Sequence, residues 1–505
     1  MSPGALFRYD ASPKIGAGHV MRCLAMAEAL IASGWRAAFA VGRGTSAMMP
    51  TLAAAGVEVL ELDEGDADEA EELRKAYPGG VDLVVVDHYG RDAGFEQKCR
   101  SWARKILVMD DATGRVHDCD LLLDAAAPDG EAYAGRVPRH AQVLAGPAFA
   151  LMRKEVVDKR EEALVRRDGR PVAEILVSFG AADSWNASSS TLAALDRYVD
   201  ETSITVALSA RAPYVADVRG RLRGRARLVL DGDMAALMAK ADLAIGAPGV
   251  SAYERAVLGL PSILVTLADN QRGICRCLSD AGAALDAGNL DRDLPVRLPK
   301  LVETLTGDAA TRIRMGQNAS LLIDGRGAER VMVAIAGEVE LPKGARIRLR
   351  PAAADDETWL LELQRAPQTR KFFRNPSTPT AEEHRDWMQR TLSDRRTLLA
   401  VIELGAARAG YVRLDQQADN ENRYAISIAV SPDHQGRGIA SAALALVRRL
   451  KPSAVLDAEI KTPNVPSKKL FLRAGFVHID GERYQSRPAG DKRGAAAATV
   501  RRCGT

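Results

Sequence analysis

At 505 residues the chain is too long for a single hydrophobic core and fits three domains of ordinary size. Its 47% hydrophobic and 27% charged residues are usual for soluble globular protein, and a net charge of +3 with interspersed signs gives neither a nucleic-acid stripe nor a polybasic membrane patch. No apolar run approaches the roughly 18 residues a membrane span needs, and the first ten residues lack the layout of a signal peptide. The cytoplasm is therefore the expected location, with no nucleic-acid or membrane partner.

The opening two-thirds alternate short β-branched runs with Ala/Leu-rich helical stretches. Val20 to Ser33 carries apolar residues at helical spacing, stopped by Gly34. A strand over Ala37 to Val41, a helix over Ser46 to Ala55 and a strand over Val57 to Leu62 follow. Leu83 to Val86, ending in Asp87-His88-Tyr89, and Ile106 to Met109, ending in Asp110-Asp111, are continuous apolar runs suited to parallel strands buried on both faces. After a charged helical stretch (Arg153 to Arg170) a second series begins. Its strands fall at Glu174 to Phe179, Ser203 to Leu208, Ala226 to Leu230, Ala241 to Ile245 and Ser262 to Val265. Two doubly wound α/β lobes are expected, over 1–150 and 151–336, with ligands at the carboxyl ends of their strands.

Residues 337–345 read as a linker, and a different pattern occupies 346–485. There Arg346 to Arg350 is a strand, Asp355 to Arg365 and Ala381 to Thr391 are helices, and Thr397 to Leu404 with Gly410 to Asp415 makes a hairpin. Tyr424 to Val430 is a strand leading into a helix near Gly438. Residues 486–505 read as a disordered basic, Ala-rich tail. Six cysteines at 23, 99, 119, 275, 277 and 503 form neither a CxxC pair nor a Cys/His cluster, so no disulfide framework and no metal site is expected.

The run IGAGHVMR (15–22) sits between the first strand and the first helix. Gly16 and Gly18 let the backbone turn tightly against a ligand, and the helix start offers unpaired N–H groups to an anion. His19 stands at this junction, as a strand-to-helix cap or as a reactive group. Together with Phe7 to Ser12, VVVDHYG (84–90), GAPGVSAYERAVLGLPSILV (246–265) and ADNQ (268–271), the run resembles the UDP-sugar hydrolases of pseudaminic acid biosynthesis. The resemblance covers residues 5 to about 330. That family is related to the two-lobed GT-B glycosyltransferases and hydrolyses UDP-2,4-diacetamido-2,4,6-trideoxy-β-L-altropyranose to UDP and free sugar.

By this resemblance His19 is the catalytic base, taking a proton from the attacking water with inversion at the anomeric carbon. Imidazole suits the task, since it accepts protons near neutral pH. Asp10 orients His19 or the sugar, or caps its turn. Asp87, His88 and Tyr89 end a buried strand at the cleft edge and are assigned to the sugar, although His88 competes with His19 as base on chemistry alone. On the second lobe Gly249, Val250 and Ser251 open a helix suited to phosphate. Glu254 either closes a capping box with Ser251 or, by the resemblance, binds ribose hydroxyls. Asn270 and Gln271 are donors to sugar or phosphate. His117 and His140 read as surface residues. The chain departs from the family pattern at Asp124 to Pro128 and at Gly180 to Asn186, which bears on the exact sugar.

The second constellation is Asp433-His434-Gln435-Gly436-Arg437-Gly438-Ile439-Ala440, between a strand and an apolar helix. It resembles the Q/R-x-x-G-x-G/A acetyl-CoA loop of the GNAT N-acetyltransferases. Asn464, Ser467 and the run Leu470 to Phe476 resemble that superfamily's other signature. The resemblance implies acetyl-CoA as co-substrate, bound by Val430, Gln435 to Ala440, Asn464 and Ser467, and a GNAT α/β fold behind the two-lobed GT-B-like module. Many members protonate the departing thiolate with a Tyr where this chain has Phe471, which cannot donate. Arg370 to Asn375, Glu383-His384 and Trp387 are similar to the acceptor side of the same pathway's acetyltransferase. Two other readings stay open: a UDP-sugar glycosyltransferase joined to an acetyltransferase of an unrelated amine, and a C-terminal module that only senses acetyl-CoA.

Overall fold

The computed structural model describes residues 2–9, 18–42, 57–62, 68–198, 202–342, 344–373 and 375–488. Asp10, Gly16, the expected helix 46–55 and the expected tail from 489 lie outside the described residues. The chain forms two compact units, the larger carrying two sheets and the smaller a third.

The first sheet has β1 (Gly4–Tyr9), β2 (Arg36–Gly42), β3 (Glu58–Leu62), β4 (Leu83–Asp87), β5 (Ile106–Met109), β6 (Leu121–Asp124) and β7 (Gln142–Ala145) in the order β3-β2-β1-β4-β5-β6-β7. Every residue of β4 and β5 is buried, as their unbroken apolar runs require. The strand order reverses between β1 and β4, where Tyr9 pairs with Asp87 in parallel register. Helix α1 (Gly18–Ala32) begins earlier than its periodicity indicated, so His19 lies inside the first turn.

The second sheet has β8 (Glu174–Ser178), β9 (Ser203–Leu208), β10 (Ala226–Leu230), β11 (Leu243–Gly246), β12 (Ser262–Thr266) and β13 (Leu285–Asn289) in the order β10-β9-β8-β11-β12-β13. Buried clusters lie on both of its faces. Its reversal falls between β8 and β11, with Ser178 opposite Gly246. A Cβ at Gly246 would stand 2.1 Å from the Ser178 carbonyl oxygen, so only glycine fits there. Helix α2 (Ala187–Ala194) follows β8, and α3 (Val250–Val257) follows β11. Both expected doubly wound α/β lobes are thus present.

The third sheet is mixed, in the order β14-β15-β16-β17-β18-β19-β21-β20. Its strands are β14 (Glu338–Glu340), β15 (Arg346–Pro351), β16 (Thr397–Leu404), β17 (Ala407–Gln417), β18 (Asn420–Val430), β19 (Val455–Glu459), β20 (Val477–Asp480) and β21 (Arg483–Ser486). The segment read as a linker therefore contributes an edge strand, with Val339 paired to Ile347. One hydrophobic cluster joins Tyr411 and Ala429 of this sheet to helices α4 (Glu357–Arg365) and α5 (Ala381–Ser393). Helices α6 (Ile439–Leu450) and α7 (Val465–Arg473) complete the unit. Among the described residues no helix is long and apolar enough to cross a membrane.

Candidate functional site

At the reversal point of the first lobe, α1 presents His19 to the end of β4. His19 Nδ1 lies 2.5 Å from Asp87 Oδ1. Arg22, one turn further along α1, grips the same carboxylate with Nε 2.6 Å from Oδ2 and Nη2 2.5 Å from Oδ1. Asp87 is fully buried, which alone would raise its pKa. Arg22 and His19 outweigh that burial and hold the carboxyl far below the ordinary range. An ionised carboxylate only accepts, so Nδ1 carries the proton and donates it. In the neutral ring the lone pair then resides on Nε2.

Tyr89 packs edge-on against the His19 ring, with centroids 5.0 Å apart. Its hydroxyl donates to Asp111 Oδ1 at 2.6 Å and is hydrogen-bonded to the Asn270 side chain of the second lobe. Arg22 Nη1 reaches the other oxygen of Asp111 at 3.2 Å. A Cβ built on Gly18 would come within 3.5 Å of Val250 Cγ2, so the starts of α1 and α3 face each other. Two helix N-termini, each favouring negative charge, therefore converge beside His19. Buried Arg255 fixes the approach to α3 by donating to the Ala247 carbonyl at 3.0 Å.

Of the residues expected in this site, His19, Asp87, Tyr89, Asn270, Gly18 and Val250 come together. Asp87, expected at the sugar, contacts His19 directly. The His88 ring turns back to accept from Gly90 N at 2.9 Å. Gln271 Oε1 accepts from Leu267 N at 2.9 Å. The capping box is not formed, because Gly249 is the N-cap of α3 and Ser251 lies within the helix. Glu254 instead is buried against Arg153, with Nε 2.7 Å from Oε1.

Arg22, Asp111 and Arg153 were not singled out from the sequence. Arg22 had a readable signal, its position three residues after His19 on one helix face. Asp111 had the signal of a strand end, whereas Arg153 joins by tertiary folding and had none.

His117 corrects a second expectation. It is not a surface residue but is buried, with Nδ1 2.7 Å from Glu96 and Nε2 2.9 Å from Asp110. Burial alone would lower its pKa, yet the two carboxylates push it up to about 9. His140 is exposed, as expected. Cys23, Cys99, Cys119 and Cys275 are buried thiols. Among the described residues no group of three or more His, Cys, Asp or Glu is placed to hold a metal ion.

In the third sheet β18 and β19 pair in parallel only from Arg423–Val455 to Ala425–Asp457. Beyond that point β18 keeps β17 alone, to Val430, and β19 keeps β21. The strands therefore part and leave one edge of residues 426–430 without a strand neighbour among the described residues. The loop at the open end carries Gly436 and Gly438 at φ +75° and +83°, and Gly438 caps α6. Left-handed glycines leading into a helix start make a concave row of N–H groups suited to a pyrophosphate. Gln435 Nε2 pins this loop by donating to the Val430 carbonyl at 3.2 Å. Arg437 is exposed there, whereas Ile439 turns into the core. Asn464 and Ser467 meet each other, Asn464 Oδ1 accepting from Ser467 N at 3.2 Å as the cap of α7. Phe471 is buried edge-on against Phe476, 4.8 Å between centroids, and its ring serves the core.

Residues 346–477 match the family model of the acetyltransferase (GNAT) domain. This part of the chain is a GNAT acetyltransferase domain. The amino-terminal region resembles sugar-biosynthesis proteins. The spore coat polysaccharide biosynthesis protein SpsG of Bacillus subtilis is 25% identical over 268 residues, covering 51% of this chain and 77% of that protein. The UDP-2,4-diacetamido-2,4,6-trideoxy-β-L-altropyranose hydrolase of Campylobacter jejuni is 26% identical over 230 residues, 45% of this chain and 77% of its own. An uncharacterized protein of Methanocaldococcus jannaschii is 23% identical over 482 residues, 92% of this chain and 95% of its own, so it parallels both modules.

Proposed function

We propose that the chain is a cytoplasmic bifunctional nucleotide-sugar enzyme of pseudaminic acid biosynthesis. Its GNAT domain transfers acetyl from acetyl-CoA to the 4-amino group of a UDP-4-amino-4,6-dideoxy sugar. Its two-lobed module hydrolyses UDP-2,4-diacetamido-2,4,6-trideoxy-β-L-altropyranose to UDP and free sugar. The observation that carries the hydrolytic half is the His19–Asp87 contact at 2.5 Å, at the point where two helix starts converge.

In this reading Asp87 and Arg22 hold the His19 ring, and Nε2 removes one proton from water. The water oxygen forms its bond to the anomeric carbon as the bond from that carbon to the diphosphate oxygen breaks on the opposite face. UDP departs as an anion, so little general-acid help is required. The starts of α1 and α3 receive the phosphates, and Glu254, steadied by Arg153, takes the ribose hydroxyls. Tyr89, Asn270 and Gln271 border the sugar. In the GNAT domain the parted strands admit the thioester, and strand N–H groups stabilise the oxyanion formed when the neutral amine attacks. Since Phe471 is a core residue, the thiolate departs without a Tyr donor at that position. The similarity to the Campylobacter jejuni hydrolase and the GNAT family match support the pairing of the two activities.

The test supplies the purified chain with the diacetamido sugar nucleotide, and separately with its 4-amino precursor and acetyl-CoA. UDP release without any acceptor, and CoA release dependent on the amino sugar, are the expected results. UDP release only when a second sugar or lipid acceptor is added would replace hydrolysis with glycosyl transfer. Absence of amino-sugar-dependent CoA release would leave the GNAT domain as a sensor.

The two activities should separate by mutation. Gly438→Val forces a branched side chain into a left-handed position and costs roughly 1–2 kcal/mol locally. The KM for acetyl-CoA is expected to rise by about tenfold or more, while UDP release stays within about twofold. Steady-state kinetics of both reactions on the one variant checks this.

A further inference from the structure

The geometry points to Trp185 as a stacking platform for the base of a nucleotide held at the second lobe, an inference that rests on the nucleotide-sugar reading above. Trp185 is 62% exposed, on the loop that leaves the carboxyl end of β8. That strand flanks the reversal point of its sheet, and the neighbouring strand end at Gly246 leads to the start of α3. Ligands of such sheets sit in the crevice between the loops of those two strands.

The loop is built under strain and then fixed. Among the described residues, every non-glycine residue with left-handed φ lies at this one sheet edge: Asp183 at 41°, Asn186 at 53° and Asp231 at 48°. Two of them bracket Trp185. Asp183 is buried and accepts from Ala187 N and Ser188 N, each at 2.9 Å. Asn186 Nδ2 donates to Asp217 Oδ2 at 3.1 Å, and Ser209 N donates to the Ala181 carbonyl at 2.8 Å. Strained residues persist only where surrounding contacts over-determine them, and they collect at ligand sites. Here the contacts fix the backbone on either side of a large flat ring that is mostly exposed and so forgoes the burial an indole ordinarily gains. The exposed indole on this loop offers a face to a flat unsaturated ring, and the strand end beside β8 leads to the start of α3, which suits the anionic part of the same ligand. A nucleoside diphosphate has that form.

The experiment compares UDP binding to the full-length chain and to its Trp185→Ala and Trp185→Phe variants by titration calorimetry, with melting temperature as the folding check. Trp185→Ala is expected to weaken UDP binding by at least about fivefold, the lower end of what stacking one base on an aromatic ring contributes. Trp185→Phe is expected to stay within about twofold of the parent, since it keeps a ring to stack on. UDP is expected to quench tryptophan emission in the parent and not in Trp185→Phe. Parent-like affinity in Trp185→Ala overturns the stacking role and leaves the nucleotide-sugar reading standing. Equal weakening in both variants overturns it as well, because loss of stacking cannot explain a defect that phenylalanine shares. A parent chain that binds no UDP removes both.

Discussion

Replacing His19 with asparagine is expected to lower UDP release by about a thousandfold, within the range that a positioned general base contributes. The amide can still donate to Asp87, so the end of β4 keeps its partner and the Kd for UDP stays within about twofold. Single-turnover kinetics with calorimetry separates the two effects, and near-normal turnover would remove His19 from the chemistry. Asp87→Asn is expected to be milder for the reaction and harsher for the fold. It leaves His19 and Arg22 to share the single acceptor oxygen of a neutral amide, in place of a carboxylate that Arg22 grips through two nitrogens. Acetyl transfer should be unaffected by either change. A parallel loss there would trace the defect to the whole chain.

The second large effect concerns stability. His117 bridges two buried carboxylates, and its leucine variant leaves Glu96 and Asp110 without their shared cation. Breaking a buried ionic group on one side costs about 3–5 kcal/mol, so the urea midpoint of the larger unit should fall sharply. The same contact makes stability depend on pH in a direction that can be worked out. The folded-state pKa is raised from 6.5 to about 9, so the protonated ring is bound more tightly in the folded chain. Its contribution, of order 3 kcal/mol, is complete below about pH 6.5 and is lost as the pH rises through about 9. Urea melts at pH 6.5 and 9.5 should therefore diverge for the parent chain. His117→Gln should remove that difference, and a parent chain with the same midpoint at both pH values would contradict the bridge.

Much of the architecture was legible because buried parallel strands write themselves as unbroken apolar runs. Leu83 to Asp87 and Ile106 to Met109 are examples, and the glycines at 436 and 438 announce the second site in the same direct way. What the sequence hid were partnerships across long separations. Nothing near His117 in the chain says that Glu96 and Asp110 close around it, so an isolated histidine in polar company read as surface. Asp87 was visible as a strand end, but its service to His19 needed the adjacency of β1 and β4. Glu254 matched a capping pattern letter by letter. The helix starts at Val250, and the pattern therefore never comes into register. The strand at 338–340 was hidden for another reason: a short polar edge strand, buried on neither face, has the composition of a loop.

The early parting of β18 and β19 has a mechanical consequence. The strands β14 to β18 and the trio β19, β21 and β20 are joined within the sheet only along Arg423 to Ala425. Arg423 Nε clamps that junction on Asp457 Oδ2 at 2.5 Å, and Asn422 Nδ2 reaches the Ser453 carbonyl at 2.8 Å beside it. The layer is thus a pair of leaves on a short spine, stiff at the clamped end and compliant at the open one. Compliance is concentrated at the end where the gap opens onto the Gly436–Gly438 loop, and rigidity at the end where the fold needs its continuity.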